Sequence, residues 1–170
     1  MKPSFVLLVA AVALTLCGCK KKPKEVSTAA RAEAAQDAGE AEFAMSIRDY
    51  TRAEDLFAKA VVLDPTLPRY WKQLGAARLR LGNNKGARKA YEQSLDMVLD
   101  EYDRTKKESL TAAFGAIESY VLLRRPDEAR KFLDQVVKDH PDNNEVKAFR
   151  ENKMIDRMIA EEPFKSSIIP

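Results

Sequence analysis

The chain of 170 residues is expected to fold as an all-helical body. Ala, Leu, Glu, Lys and Arg dominate every segment after Ser27, and the alternation of Val, Ile and Thr that a half-buried strand needs is missing. Glycine occurs only six times. An alanine followed four residues later by an aromatic recurs as Ala53 with Phe57 and Ala87 with Tyr91, 34 residues apart. Residues four apart share one helix face, so the recurrence marks a packed helical unit used more than once. Helices are predicted over 27–47, 50–63, 67–81, 85–104, 107–123, 126–138 and 143–160. Asp64-Pro65 separates the second from the third, Gly82-Asn83-Asn84 the third from the fourth, and His140-Pro141-Asp142 the sixth from the seventh. The fourth is long because its apolar positions continue through Leu95, Val98, Leu99 and Tyr102. The seventh is charged and carries an inner stripe of Val146, Phe149, Ile155, Met158 and Ile159.

The middle of the chain reads Trp71-Lys72-Gln73-Leu74-Gly75, then Ala87 and Tyr91. This spacing resembles the tetratricopeptide repeat, a helix hairpin that stacks, and the resemblance covers about 34–143. In copy one Ala53, Phe57 and Ala60 take the second-helix places and Pro65 closes it, while Asp37, Glu40 and Ala41 stand where Trp, Leu and Gly would. Copy three has Ala113, Ala116 and Ile117, then Ala129 with Leu133, closed by Pro141. Ala129 follows Ala87 by 42 residues, which implies an insertion of eight, assigned to 102–109, and Leu99 stands in the closing-proline place. The resemblance implies a helix-hairpin solenoid of about three repeats (34–67, 68–101 and 110–143). The helix over 143–160 caps it and a tail follows over 161–170. A single hairpin cannot bury its apolar face alone, and three repeats are about the minimum for independent stability.

Met1, Lys2 and Pro3 precede an apolar run over 5–16, shorter than the roughly 20 residues a membrane span needs. The pattern predicts a signal peptide over 1–18. Its end, Leu16-Cys17-Gly18-Cys19, resembles the lipobox of bacterial lipoproteins, which implies cleavage before Cys19 and acylation of that residue, palmitate included, as a membrane anchor. A Cys-x-Cys metal or redox site would need further ligands, and the chain offers only His140. Lys20, Lys21, Lys22 and Lys24 make the segment 19–27 a basic tether, each charge contributing on the order of 1 kcal/mol against anionic lipid, or serving simply as a solvated spacer. No aspartate follows Cys19. By resemblance this implies the outer membrane, periplasmic face.

The formal net charge of +3 misleads about the folded body. Setting aside Lys2 and the four tether lysines leaves 24 basic against 26 acidic residues, without the basic stripe that nucleic acid requires. No His-Glu-x-x-His, Gly-x-Ser-x-Gly, phosphate-binding glycine loop or Gly-x-Gly-x-x-Gly is present. His140 lies in a predicted turn, remote from any nucleophile-and-base pattern. Glu54-Asp55, Asp100-Glu101 with Asp103, and Glu161-Glu162 fit solvated faces. The expectation is a non-enzymatic protein with no cofactor, metal or small-molecule substrate.

The family resemblance implies that the first helices of successive repeats line a concave groove for a protein or peptide partner. Its lining by register is Ala35, Ala38, Glu42, Met45 and Ser46 in copy one, Arg69, Lys72, Ala76, Leu79 and Arg80 in copy two, and Thr111, Phe114, Glu118, Val121 and Leu122 in copy three. The candidate binding residues are therefore Arg69, Lys72, Leu79, Arg80, Phe114 and Glu118; Trp71 is assigned to the core. A clamp for a free carboxylate needs Lys and Asn together, whereas Lys72 is accompanied by Ala76, so an extended or helical peptide with acidic and apolar side chains is the expected ligand. The tail carries Phe164, Ile168 and Ile169, which could dock on the body or serve another protein, and the sequence prefers neither. The functional expectation is a membrane-anchored interaction scaffold or assembly factor of the bacterial cell envelope. The alternatives are a regulatory partner of a peptidoglycan enzyme and an unlipidated secreted binding domain.

Overall fold

The computed structural model describes residues 25–170, so the expected signal peptide, Cys19 and the four tether lysines lie outside the described residues. The described chain is all helical: α1 (Thr28–Ser46), α2 (Tyr50–Leu63), α3 (Pro68–Arg80), α4 (Asn84–Arg104), α5 (Leu110–Leu122), α6 (Pro126–Asp139), α7 (Asn144–Glu151) and α8 (Met154–Ala160), then a 3₁₀ turn over Lys165–Ser167. Helices α1 with α2, α3 with α4, and α5 with α6 pair as hairpins, and each hairpin packs on the next. No described helix is long and apolar enough to cross a membrane.

Local chemistry sets the helix ends. The side chains of Ser27, Asp49, Asn83, Ser109 and Asn143 accept hydrogen bonds from the backbone N–H groups of Ala30, Arg52, Gly86, Ala112 and Val146, satisfying donors that a helix start leaves open. Helices α3 and α6 instead begin on Pro68 and Pro126, whose missing N–H costs nothing there. Inside the three hairpins the turn is made at equivalent places by Arg48, Gly82 and Arg124, all with positive φ. In each turn the next residue's N–H bonds back to a carbonyl five residues earlier: Asp49 to Ala44, Asn83 to Arg78, Arg125 to Tyr120. Only copy two spends a glycine on this left-handed position. Arg48 and Arg124 are exposed and bear about 1 kcal/mol of steric cost. Arg124→Gly is expected to raise stability by about 0.5 kcal/mol net of the unfolded-state entropy of glycine, read as a higher melting temperature.

The repeat positions pack as sized pairs. Gly75 on α3 lies against the Tyr91 ring so closely that an added methyl would overlap it. Copy one holds Ala41 opposite the Phe57 place, and copy three holds Ile117 in the glycine place opposite Leu133, all buried. As the second-helix side chain shrinks from tyrosine to leucine, the first-helix residue grows from glycine to isoleucine, which preserves packing density. Copy one's irregular first helix has a physical cause as well. Leu74 is buried in one cluster with Ala53 and Phe57 of the preceding hairpin, whereas α1 is the first described helix and its equivalent, Glu40, faces solvent beside Arg52 at 3.4 Å.

The insertion between copies two and three is an extended α4 and a tight loop. Helix α4 runs on to Arg104, and Lys106 and Lys107 take positive φ, which starts α5 at Leu110 rather than near 107. Tyr102 is buried edge-on against Phe132, with ring centres 5.5 Å apart, and its hydroxyl donates to Asp139. Burial, reinforced by Asp139, pushes the Tyr102 hydroxyl up to about 12. His140 closes the loop: its Nε2–H donates to the Lys107 carbonyl at 2.6 Å, the structural turn role its sequence context suggested.

The predicted single helix over 143–160 is broken. Asn152 ends α7 and Lys153 takes φ 50°, so α8 leaves in a new direction and packs on α5. The reason is the burial pattern: Val146 fits beside Tyr102 and Val136, Ile155 beside Ile117, Val121 and Leu133, and one left-handed residue between them lets both reach their seats. Trp71, assigned to the core, packs half-buried against the cluster of Phe57, Tyr70 and Leu74, its indole N–H donating to the Pro65 carbonyl at 3.1 Å, while its neighbour Tyr70 is fully buried.

Candidate functional site: a groove between the third and fifth helices

Helices α3 and α5 are first helices of adjacent repeats, and a cavity of about 570 Å³ opens between them. Leu67, Pro68 and Arg69 form its rim at the start of α3, Val98 and Glu101 of α4 its base, and Phe114 and Gly115 of α5 its far wall. Phe149 and Met158 of the cap close one side, with the Phe149 ring stacked on Phe114 at 4.9 Å. Gly115 matters here because a side chain would press on Val98 and fill the space.

Four of the six residues singled out from the sequence, Arg69, Lys72, Phe114 and Glu118, line this cavity together. Of the expected basic centre, Lys72 is neutralised inside the site, whereas Arg69 and Arg80 stand exposed with neutral hydrogen-bond partners. Lys72 Nζ lies 2.6 Å from a Glu118 carboxylate oxygen, spanning from α3 to α5, with each side chain a little under one-third exposed. Arg69 folds over the Tyr70 ring, 4.9 Å from its centre, and donates to the Tyr70 hydroxyl. What faces the cavity is therefore largely apolar surface around one ion pair.

The other two residues lie at the opposite end of α3. Leu79 packs on a cluster that includes Tyr91, Leu122 and Ile169, and Arg80 donates to the Ser166 hydroxyl at 2.7 Å. That half of the groove holds the chain's own tail. Val121 and Leu122, placed in the groove by register, are buried in the packing instead. In copy one, Ala38 is buried under α2, while Ala35, Glu42 and Ser46 are exposed.

Sequence reasoning missed three participants. Phe149 and Met158 belong to the stripe expected to face the core and do pack on a core cluster, but they also line the cavity, Phe149 from α7 and Met158 from α8 beyond the break at Lys153. Tyr91, placed by its repeat spacing as packing, also presents its hydroxyl, which donates to the Ser167 carbonyl at 3.0 Å. Burial, over the opposing pull of Arg80, holds that hydroxyl well above the usual tyrosine range, so it stays a donor at physiological pH. The geometry supplies shape, apolar contact and a few fixed hydrogen-bonding groups. Among the described residues no group of three His, Cys, Asp or Glu side chains could hold a metal ion.

The tetratricopeptide repeat model matches residues 79–152, from the end of α3 through α7. The TPR repeat-containing protein PA0015 of Pseudomonas aeruginosa is 34% identical over 94 residues, which cover 55% of this chain and 72% of that relative. The first TPR of Spaghetti (RPAP3), solved bound to the HSP90 peptide SRMEEVD, aligns with a TM-score of 0.47 at 18% identity over 77% of this chain and 98% of that one. The sized pairs, the repeated left-handed turns and the similarity to the Pseudomonas protein agree: the chain belongs to the tetratricopeptide repeat family.

Proposed function

We propose that this protein is a lipid-anchored interaction scaffold of the bacterial envelope that holds a protein partner in the groove between α3 and α5. The observation that carries the reading is the cavity itself: about 570 Å³ of mostly apolar space between first helices of adjacent repeats, with the Lys72–Glu118 ion pair in its lining. Such a surface binds by burying apolar side chains and uses few charges for register. Cys19 supplies the anchor in this reading, and confinement to a membrane raises effective concentration so that a modest groove affinity suffices for assembly. The outer membrane, periplasmic side, is the proposed location, and assembly of envelope machinery the proposed task.

Mild-detergent affinity purification of the tagged native protein, with mass spectrometry of its partners, tests the groove when run beside an Arg69→Glu, Lys72→Glu variant. A partner bound through the groove is expected to fall at least tenfold in the variant, because Lys72→Glu sets two carboxylates against each other inside the site. A Lys72→Glu, Glu118→Lys exchange, which restores an opposite-charge pair, controls for folding. A partner retained equally by all forms would remove the groove from the mechanism. For the anchor, Cys19→Ser is expected to move the protein from the membrane to the soluble fraction, and unchanged fractionation would sink that part.

A further inference from the structure

The tail over 163–170 does not trail from the cap. After the 3₁₀ turn it runs extended, Ile168 having φ −77° and ψ 130°, and crosses between α3, α4 and α5. Consecutive side chains of an extended segment point to opposite sides. Ile168 accordingly enters the cluster of Ile117, Val121 and Ile155, while Ile169 is fully buried among Ala87, Tyr91, Leu95, Ala116 and Leu122. Main-chain bonds fix the register. The Ile169 N–H donates to the Leu122 carbonyl at 3.0 Å, one of the acceptors a helix end leaves open, and the Tyr91 hydroxyl donates to the Ser167 carbonyl. Arg80 adds a bond to the Ser166 hydroxyl, and Phe164 packs on both clusters.

These contacts are those by which a groove reads a peptide: backbone hydrogen bonds for affinity and alternate side-chain seats for selectivity. We infer that the Arg80–Tyr91–Leu122 half of the groove is a seat for an extended peptide, occupied here by the chain's own Phe164–Ile169, and that a partner segment with an aromatic residue followed by two adjacent β-branched aliphatics takes that seat by displacing the tail. The inference rests on the reading of the α3–α5 groove as a protein-binding surface. It adds both the ligand's chemistry and a control. A tethered segment competes at an effective concentration on the order of millimolar, so a free peptide meets a seat that is mostly filled. Charged residues are excluded from the buried end of the ligand, since the Ile169 seat is lined by apolar side chains and an unpaired charge there would be desolvated. Glu161 and Glu162, by contrast, stay exposed before the docked stretch, where a Glu162 carboxylate oxygen accepts from the Ser166 N–H at 3.2 Å.

The probe is a fluorescein-labelled synthetic peptide of residues 161–170, titrated by anisotropy into the full-length wild type and into full-length Ile169→Asp, whose own tail cannot keep its seat. The variant is expected to bind the peptide at least tenfold more tightly than the wild type, and a peptide with Ile169 changed to Asp should bind neither. Ile169→Ala, which trims the tail's hold without burying a charge, serves if the aspartate variant does not fold, and should bind several-fold more tightly than the wild type. Equal binding to wild type and variants, or no binding to a folded variant, would overturn the inference. Its failure is separable from failure of the scaffold reading. A partner still lost from Arg69→Glu, Lys72→Glu while the peptide binds no variant leaves the scaffold standing and removes the tail seat. Peptide binding without any groove-dependent partner does the reverse.

Discussion

Gly75→Ile is expected to destabilise the protein by about 3 kcal/mol, because overpacking a filled core usually costs about 1–3 kcal/mol and the new side chain begins inside the Tyr91 ring. The gain in helix propensity over glycine, somewhat under 1 kcal/mol, offsets only part. In a domain of this size the melting temperature should fall by roughly 6–12 °C. The pairing in copy three gives the means to reverse it. There Ile117 occupies the glycine place opposite Leu133, and both are buried. Gly75→Ile with Tyr91→Leu imports that pair into copy two and should recover most of the loss, a coupling well above the few tenths expected of independent sites. Simple addition of the two single effects in thermal melts would refute the sized-pair account.

Ile155→Asp is the second large effect. Ile155 is buried against Ile117, Val121, Ala129 and Leu133, with Arg130, Arg150 and Lys153 only at the surface pocket on its outer side. An unpaired carboxyl there costs about 3–5 kcal/mol, and the cheapest escape is to release α8 from α5. The consequence reaches the groove, since Met158 lines one side of the cavity and the tail follows α8 directly. Circular dichroism should show lost helix at 25 °C while the three hairpins persist to higher temperature. A two-state melt with full native helicity beforehand would show that the cap does not depend on this contact.

Much of the fold was legible because its determinants are local. Prolines at 65, 68, 126 and 141, caps such as Asn83 and the alternation of small and large residues on helix faces fix where each hairpin starts and turns. The 42-residue offset located the insertion for the same reason. Three features were illegible because they depend on contacts distant in sequence. Asn152-Lys153 carries no glycine or proline, and the break there is dictated by the separated seats of Val146 and Ile155. The neutralisation of Lys72 required knowing that Glu118, 46 residues later, would stand 2.6 Å away. The tail's position rests on Tyr91 and Leu122 offering bonds that no pattern in 163–170 announces.

The candidate site shows the same division. Register placed Arg69, Lys72, Phe114 and Glu118 on facing helices, and they do line one cavity. Register does not reveal side-chain partners, so it represented Lys72 as available charge where the structure pairs it with Glu118, and as one continuous groove what the tail divides into an open half and an occupied half. A binding surface of this kind depends on apolar fit more than on charge, which shifts the residues that matter most toward Phe114, Phe149 and Met158.

Amide hydrogen exchange on the detergent-solubilised full-length protein, alone and saturated with the partner captured from the native membrane, measures the location of the binding surface directly. Added protection should concentrate over Pro68–Arg80 and Leu110–Leu122, the two helices that face each other across the groove. Protection confined to α2 and the outer face of α4, with those two helices unchanged, would contradict the groove as the site where the partner is held.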